Sequence, residues 1–130
     1  MTDQLPAKLH GTVRRYKGNG RRLGYPTANI AVPTELPDGV YFGYADLGEH
    51  RHRPAIIFIG VPTTLGDTDR RVEAYLLDID DRDYYDLSLR LQVQQFHRQN
   101  RTFPSVDDLL VVMKADEQTA RAWFARQASD

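Results

Sequence analysis

Residues 87–94 alternate without a break: Leu87, Leu89, Leu91 and Val93 are apolar, while Ser88, Arg90, Gln92 and Gln94 are polar. Successive side chains of a strand point to opposite faces, so this pattern predicts a strand with one dry and one wet face. Gly39–Leu47 carries Val, Tyr and Phe, which favour strands. The turn signal Pro37-Asp38-Gly39 precedes it. Residues 54–60 form a continuous apolar run, as expected of a strand buried on both sides. Residues 8–16 and 72–79 read as two further strands, and 61–70, with Pro62 and Gly66, as a loop. Five or six strands joined by turns, with no helical period between them, predict an antiparallel barrel, closed or nearly so.

Helical spacing begins only near the C-terminus. Ser105-Val106-Asp107-Asp108 resembles a capping box with Asp in the Glu position, and Leu109, Leu110, Val112 and Met113 follow it. Asp116 can cap a second helix that carries Ala120, Trp123 and Phe124. The expected fold is therefore mainly β with a C-terminal helix or helix pair.

Composition narrows the function classes. At 130 residues, 41% hydrophobic and 27% charged, the chain suits one domain with a real core; it is read as a tail, 1–7, followed by a domain, 8–130. A net charge of −1 provides no global field for nucleic acid or membrane. The absence of cysteine excludes disulfides and thiol chemistry and fits a reducing compartment. The first six residues lack the charged and apolar regions of a signal peptide, and the apolar run 55–59 is too short to cross a bilayer, so a cytoplasmic location is expected.

The densest chemistry lies in Gly20-Arg21-Arg22-Leu23-Gly24-Tyr25-Pro26-Thr27-Ala28-Asn29-Ile30. Glycine lets a backbone approach a ligand closely, and arginine neutralises phosphate. Thr27 and Asn29 offer oxygens of the kind a hard cation such as Mg²⁺ accepts. The stretch is neither a Walker A loop nor a G-x-G-x-x-G turn. Of the cations Arg14, Arg15, Lys17, Arg21 and Arg22, about half fit a solvated charge run, and Arg14 and Arg15 face opposite ways on a strand. Glu73 stands in an otherwise apolar strand, where a carboxylate is costly unless it is paired or has chemical work. It is a candidate general base, or else an edge Glu facing water or a partner of Arg70 or Arg71. His50-x-His52 lacks a third ligand, so no zinc site is expected there. Trp123 reads as a contact between helix and barrel.

One family carries these residues in this order. Gly11-x-Val13, the stretch from Gly20 to Asn29, Gly39-Val40-Tyr41, Gly60 with Pro62-Thr63, Glu73, Tyr85, and Arg98 ahead of Thr102-Phe103 together resemble the riboflavin kinases, over roughly residues 9 to 125. The resemblance implies a six-stranded Greek-key barrel with a C-terminal helix. It implies transfer of the γ-phosphoryl group of ATP to the terminal ribityl hydroxyl of riboflavin, giving FMN and ADP. Thr27 and Asn29 match residues that hold Mg²⁺ (Mn²⁺ or Zn²⁺ being alternatives) and the ATP phosphates. Gly20, Arg21, Gly24 and Pro26 would shape the nucleotide side. Glu73 matches the proposed base, Arg98 an arginine beside the flavin, and Phe103 a support for that loop. No nucleic-acid or membrane partner is expected. With no H-x-G-H-type adenylyltransferase motif in the chain, FMN formation without FAD formation is expected.

The chain departs from the family pattern at several places. Tyr16 and Asp86 stand where glycines are usual, His97 replaces an apolar residue and Asn100 an acidic one, and the segment Gly60-Val61-Pro62-Thr63 is one residue short. These changes leave a non-catalytic flavin- or nucleotide-binding module as the alternative. A nucleic-acid-binding barrel is disfavoured by the net charge and by the lack of a spaced aromatic platform.

Overall fold

The architecture comes from a computed structural model that describes residues 4–15, 24–31, 33–65, 68–80 and 82–128. Six strands are present: β1 (Ala7–Thr12), β2 (Ala28–Ile30), β3 (Gly39–Leu47), β4 (His50–Gly60), β5 (Arg71–Leu76) and β6 (Ser88–Arg98). A 3-10 turn spans Thr63–Leu65, and one helix, α1, spans Val106–Ala128. The strands form one antiparallel sheet in the order β1-β6-β3-β4-β5-β2. Strands β3, β4 and β5 run as a meander, and β6 returns beside β3, which is the Greek-key arrangement. The outer strands meet at a bridge between Arg14 and Asn29, where the Arg14 N–H donates to the Asn29 carbonyl at 2.8 Å. This bond draws the curled sheet into a nearly closed barrel.

The alternation seen in the sequence sorts inside from outside. Leu89, Leu91 and Val93 of β6 point inward, with Ile30, Tyr41, Ile57, Ile59 and Val72 from the other strands. A second cluster lies outside the barrel: Phe42 and Leu77 pack against Ala120 and Phe124 of α1, flanked by Tyr44, Ile56, Tyr75 and Trp123. The helix thus covers one outer face of β3, β4 and β5. This cover explains why β3 and the second half of β4 are apolar on both faces. Gly43 serves a close approach: a Cβ there would fall 2.0 Å from the Gln92 carbonyl oxygen, at a shift in the β3–β6 register.

Some boundaries differ from the sequence expectation. Regular pairing of β1 stops at Thr12; beyond it Val13 exchanges backbone hydrogen bonds with Leu87 and Asp86, Arg14 bridges Asn29, and residue 16 lies outside the described residues. Leu87 lies just before β6 and is 39% exposed. Strand β2 shows no period in the sequence because it has three residues, all buried. The helix pair is one helix. Ser105 caps it as expected, its hydroxyl accepting the Asp108 N–H at 3.1 Å. Asp116, expected to cap a second helix, sits buried inside a continuous one. The residues around it, Lys114, Ala115, Glu117 and Gln118, are good helix formers, so nothing there stops the helix. Among the described residues, no helix is long and apolar enough to cross a membrane.

Candidate functional site

The site is built on the pairing of β2 with β5. Asn29 stands directly opposite Glu73 in this register, so the two side chains share one face. The period of two adds Thr27, two residues before Asn29, and Arg71, two before Glu73. Inward positions of the same strands are taken by Ala28, Ile30, Val72 and Ala74. The four polar residues therefore lie outside the barrel and line a cleft of about 500 Å³.

Their hydrogen bonds are specific. The Thr27 hydroxyl donates to Glu73 Oε1 at 3.0 Å. The Asn29 amide Nδ2 donates toward the Thr27 carbonyl at 3.3 Å and toward the Thr27 hydroxyl at 3.4 Å. Arg71 Nε lies 3.4 Å from Glu73 Oε2. Oε1 of Glu73 thus accepts a hydrogen bond from Thr27, while Oε2 faces the Arg71 guanidinium at ion-pair distance. Asn29 Oδ1 is buried and has no hydrogen-bond partner among the described residues. A buried amide oxygen without a partner costs free energy, which a bound donor or cation removes. With the hydroxyl of Thr27 and the carboxylate of Glu73 beside it, the donor set is all oxygen and suits a hard divalent cation. Among the described residues no group of three or more His, Asp or Glu could hold a metal alone.

The approach to Thr27 is set by local backbone. Gly24 has φ of +90° with open space around its Cβ position, so its role is conformational freedom rather than room for a ligand. Pro26, half-buried, fixes the chain just before Thr27. The Tyr25 ring packs edge-on against Tyr75 of β5 at 5.3 Å. Burial, with Glu117 and Asp116 nearby, pushes the Tyr25 hydroxyl up from its usual value; burial, then Glu117, does the same to Tyr75. Both phenols stay neutral near pH 7.

The far wall of the cleft comes from the end of β6, the loop after it, and α1. Arg98 is held there by a forked pair with Asp116: Nε to Oδ1 at 2.9 Å and Nη2 to Oδ2 at 2.7 Å. His97 Nε2 shares Asp116 Oδ1 at 3.0 Å while its ring stacks on Phe42 at 4.7 Å. Phe103 is buried, its N–H donating to the Thr64 hydroxyl at 2.9 Å, with the Arg101 guanidinium 4.7 Å above its ring. Asn100 donates through Nδ2 to the Ile59 carbonyl at 2.8 Å. The hydroxyls of Thr63 and Thr102 bond to one another and tie the 60–63 segment to this loop.

One cleft thus brings together Pro26, Thr27, Asn29, Glu73, Arg98 and Phe103. Gly20 and Arg21, like Tyr16, lie outside the described residues. The carboxylate of Glu73 pairs with Arg71, whereas Arg70 turns away to Asp38 at 2.8 Å. His50 and His52 do not converge: His50 contacts Tyr84, and His52 stacks on Tyr44. Trp123 packs on Phe42 and Phe124 between helix and barrel, as expected. Two further residues belong to the cleft: Arg71, which the sequence offers only as a possible partner of Glu73, and Asp116, which it reads as a helix cap. Arg71 is legible in principle, since Arg-x-Glu on a strand puts both on one face. Asp116 is not, because its partner lies 18 residues away.

Comparison with known proteins adds the family. The family model described as riboflavin kinase matches residues 4–124. The chain is 34% identical over 126 residues to the bifunctional riboflavin kinase/FMN adenylyltransferase of Pseudomonas fluorescens, covering 95% of this chain and 40% of that protein. It is 26% identical over 124 residues to the riboflavin kinase of Homo sapiens, covering 90% and 80% respectively. Across such relatives the chain spans from 19% to 80% of their length. The solved structure of riboflavin kinase from Trypanosoma brucei shares the fold, with a TM-score of 0.68 at 23% identity over 91% of this chain and 76% of that one. The barrel, the Thr27–Asn29–Glu73 constellation and the match over nearly the whole chain lead to one conclusion: this chain belongs to the riboflavin kinase family, whose reaction is the ATP-dependent phosphorylation of riboflavin to FMN.

Proposed function

We propose that this chain is itself a riboflavin kinase and that Glu73 is its general base. The terminal ribityl hydroxyl of riboflavin gives its proton to Glu73 as its oxygen forms a bond to the γ-phosphorus of ATP. The bond from that phosphorus to the bridging oxygen breaks, and ADP leaves. Such a transfer depends mostly on positioning and charge neutralisation. Thr27 and Asn29 would hold a divalent cation, which when bound supplies charge neutralisation on the phosphates. Thr27 also orients the base, because its hydroxyl donates to the Glu73 carboxylate.

Gly24 and Pro26 shape the entry to this half of the cleft, and Gly20 and Arg21 are assigned to the phosphates on the family match alone. Arg98 and Phe103 form the flavin side. Phe103 offers an apolar surface, and Arg98 a guanidinium preset by Asp116.

The observation that carries the reading is the junction of three groups: an ionisable carboxylate, a hydroxyl bonded to it, and the partnerless Asn29 Oδ1 beside them in one cleft. A module that only binds flavin has no need of a half-buried carboxylate aimed this way. The test is Asn29→Ala with riboflavin, ATP and varied Mg²⁺. A much higher Mg²⁺ requirement is expected, with riboflavin binding retained. An unchanged Mg²⁺ dependence would remove Asn29 from the cation site.

A further inference from the structure

We infer that Arg101 is a specificity residue for the flavin: its guanidinium donates to the carbonyl oxygens on the pyrimidine edge of the isoalloxazine ring. The inference rests on riboflavin as the substrate and on the wall of Arg98 and Phe103 as its seat. It adds a ring contact that this reading does not contain.

The charge pattern of the cleft singles Arg101 out. Of the four described guanidiniums that line it, three face carboxylates: Arg71 lies beside Glu73, Arg82 pairs with Glu49 and Asp80, and Arg98 forks onto Asp116. Arg101 meets no carboxylate or carbonyl among the described residues; its guanidinium lies over the Phe103 ring, 4.7 Å from the centroid. Attraction to a ring face engages the charge and leaves the N–H groups without an oxygen. Arginine presents those groups as a flat, rigid fork of donors.

The backbone on both sides of Arg101 is pinned. Asn100 Nδ2 donates to the Ile59 carbonyl at 2.8 Å, the hydroxyls of Thr102 and Thr63 bond to one another, and the Phe103 N–H donates to the Thr64 hydroxyl at 2.9 Å. A donor carried on a fixed segment loses less freedom when a ligand arrives.

Chemistry selects what the fork takes. The isoalloxazine ring has an apolar dimethylbenzene end, with no acceptor, and a pyrimidine end with two carbonyl oxygens flanking an imide N–H. A guanidinium has donors only, so it matches those carbonyl oxygens and not the imide. The groups assigned to the ATP phosphates, Thr27 and Asn29, stand at β2, whereas Arg101 stands on the far wall, in the loop between β6 and α1.

The test is calorimetric titration with riboflavin and with its 2-thio and 4-thio analogues, whose sulfur accepts hydrogen bonds poorly. The wild type should bind at least one thio analogue about tenfold more weakly than riboflavin, the size of one hydrogen bond from a charged donor. Arg101→Met keeps the length of the side chain and its contact with Phe103 but has no donor. It should bind riboflavin about tenfold more weakly than the wild type, and should hold riboflavin and that analogue within about twofold of each other. Its affinity for ATP with Mg²⁺ should stay within about twofold. Arg101 is exposed, so the substitution leaves the core untouched. Wild-type riboflavin affinity in Arg101→Met would overturn the inference, and so would a wild type that binds all three flavins alike. A variant that still prefers riboflavin to the analogue would overturn it too, since the preference would then come from elsewhere. Weakened ATP binding with riboflavin binding intact would make Arg101 a phosphate contact instead. Because these readouts are binding, failure of the kinase reading is separate: a wild type that shows the expected flavin pattern yet forms no FMN overturns that reading and leaves Arg101 a flavin contact.

Discussion

Single residues carry the chemistry, and their substitutions separate binding from turnover. Glu73→Gln keeps the shape of the side chain and its acceptor for Thr27, yet removes the base. FMN formation is expected to fall about a hundredfold or more, while riboflavin affinity, read by fluorescence quenching, changes little. Equal loss of both would make Glu73 structural. Asp86 offers a different test. It sits at φ of +69°, in the left-handed region. Asp tolerates that region better than most residues but still bears strain there. Asp86→Gly should relieve about 1–2 kcal/mol of left-handed strain against about 0.5–1 kcal/mol of added chain entropy, for a net gain under about 1 kcal/mol in urea unfolding. A fall in stability would show that the added freedom of the unfolded chain outweighs the relief.

Elements decide whether the cleft has a second wall. Helix α1 is joined to the end of β6 by the buried Asp116 with Arg98 and His97, and to the sheet by Phe42, Ala120 and Phe124. Asp116→Ala leaves Arg98 and His97 without their shared carboxylate and should cost about 3 kcal/mol. A loss under about 1 kcal/mol, the size of an exposed pair, would show that the apolar contacts dock the helix unaided. The helix makes an outer contact as well: Arg121 forks onto Asp78, both bonds at 3.0 Å. The hydrogen bonds from Arg121 hold the Asp78 carboxyl below its usual range. A folded-state value below the unfolded one means stability that is complete at neutral pH and lost as pH falls through the folded value. The pair is largely exposed, so its worth is about 0.5 kcal/mol. The difference in urea midpoint between wild type and Asp78→Asn should shrink between neutral and acidic pH.

How legible these elements are in the sequence follows from the range of the forces that set them. Strand β6 announces itself because Leu89, Leu91 and Val93 alternate with polar residues over a full strand length. Strand β2 cannot, since three residues hold no measurable period and its pairing partner lies over forty residues on. Thr27, Asn29 and Glu73 are legible as a set only through the ordered family motifs. Their convergence needs the β2–β5 register, which no local pattern states. Asp116 misleads for a physical reason: an isolated Asp ahead of a helical pattern looks like a cap, and only tertiary contact with Arg98 reveals it as a buried counter-ion.

The whole molecule is one barrel core and one outer cluster, and β3 belongs to both: Tyr41 points in and Phe42 out. Unfolding the helix alone would expose Phe42, Leu77 and Phe124 together, which argues for a single cooperative transition. The one tryptophan, Trp123, lies on the helix and reports it, while far-ultraviolet circular dichroism reports helix and barrel together. The two urea transitions are expected to coincide; an earlier fluorescence change would mean that the helix leaves first.

Whether the chain turns riboflavin over is decided by incubating the purified protein with riboflavin, ATP and Mg²⁺ and separating the fluorescent flavins. FMN is expected to appear in proportion to protein in the wild type and to be nearly abolished in Glu73→Gln. Riboflavin held by the wild-type protein with no FMN formed would contradict catalysis and leave a binding module.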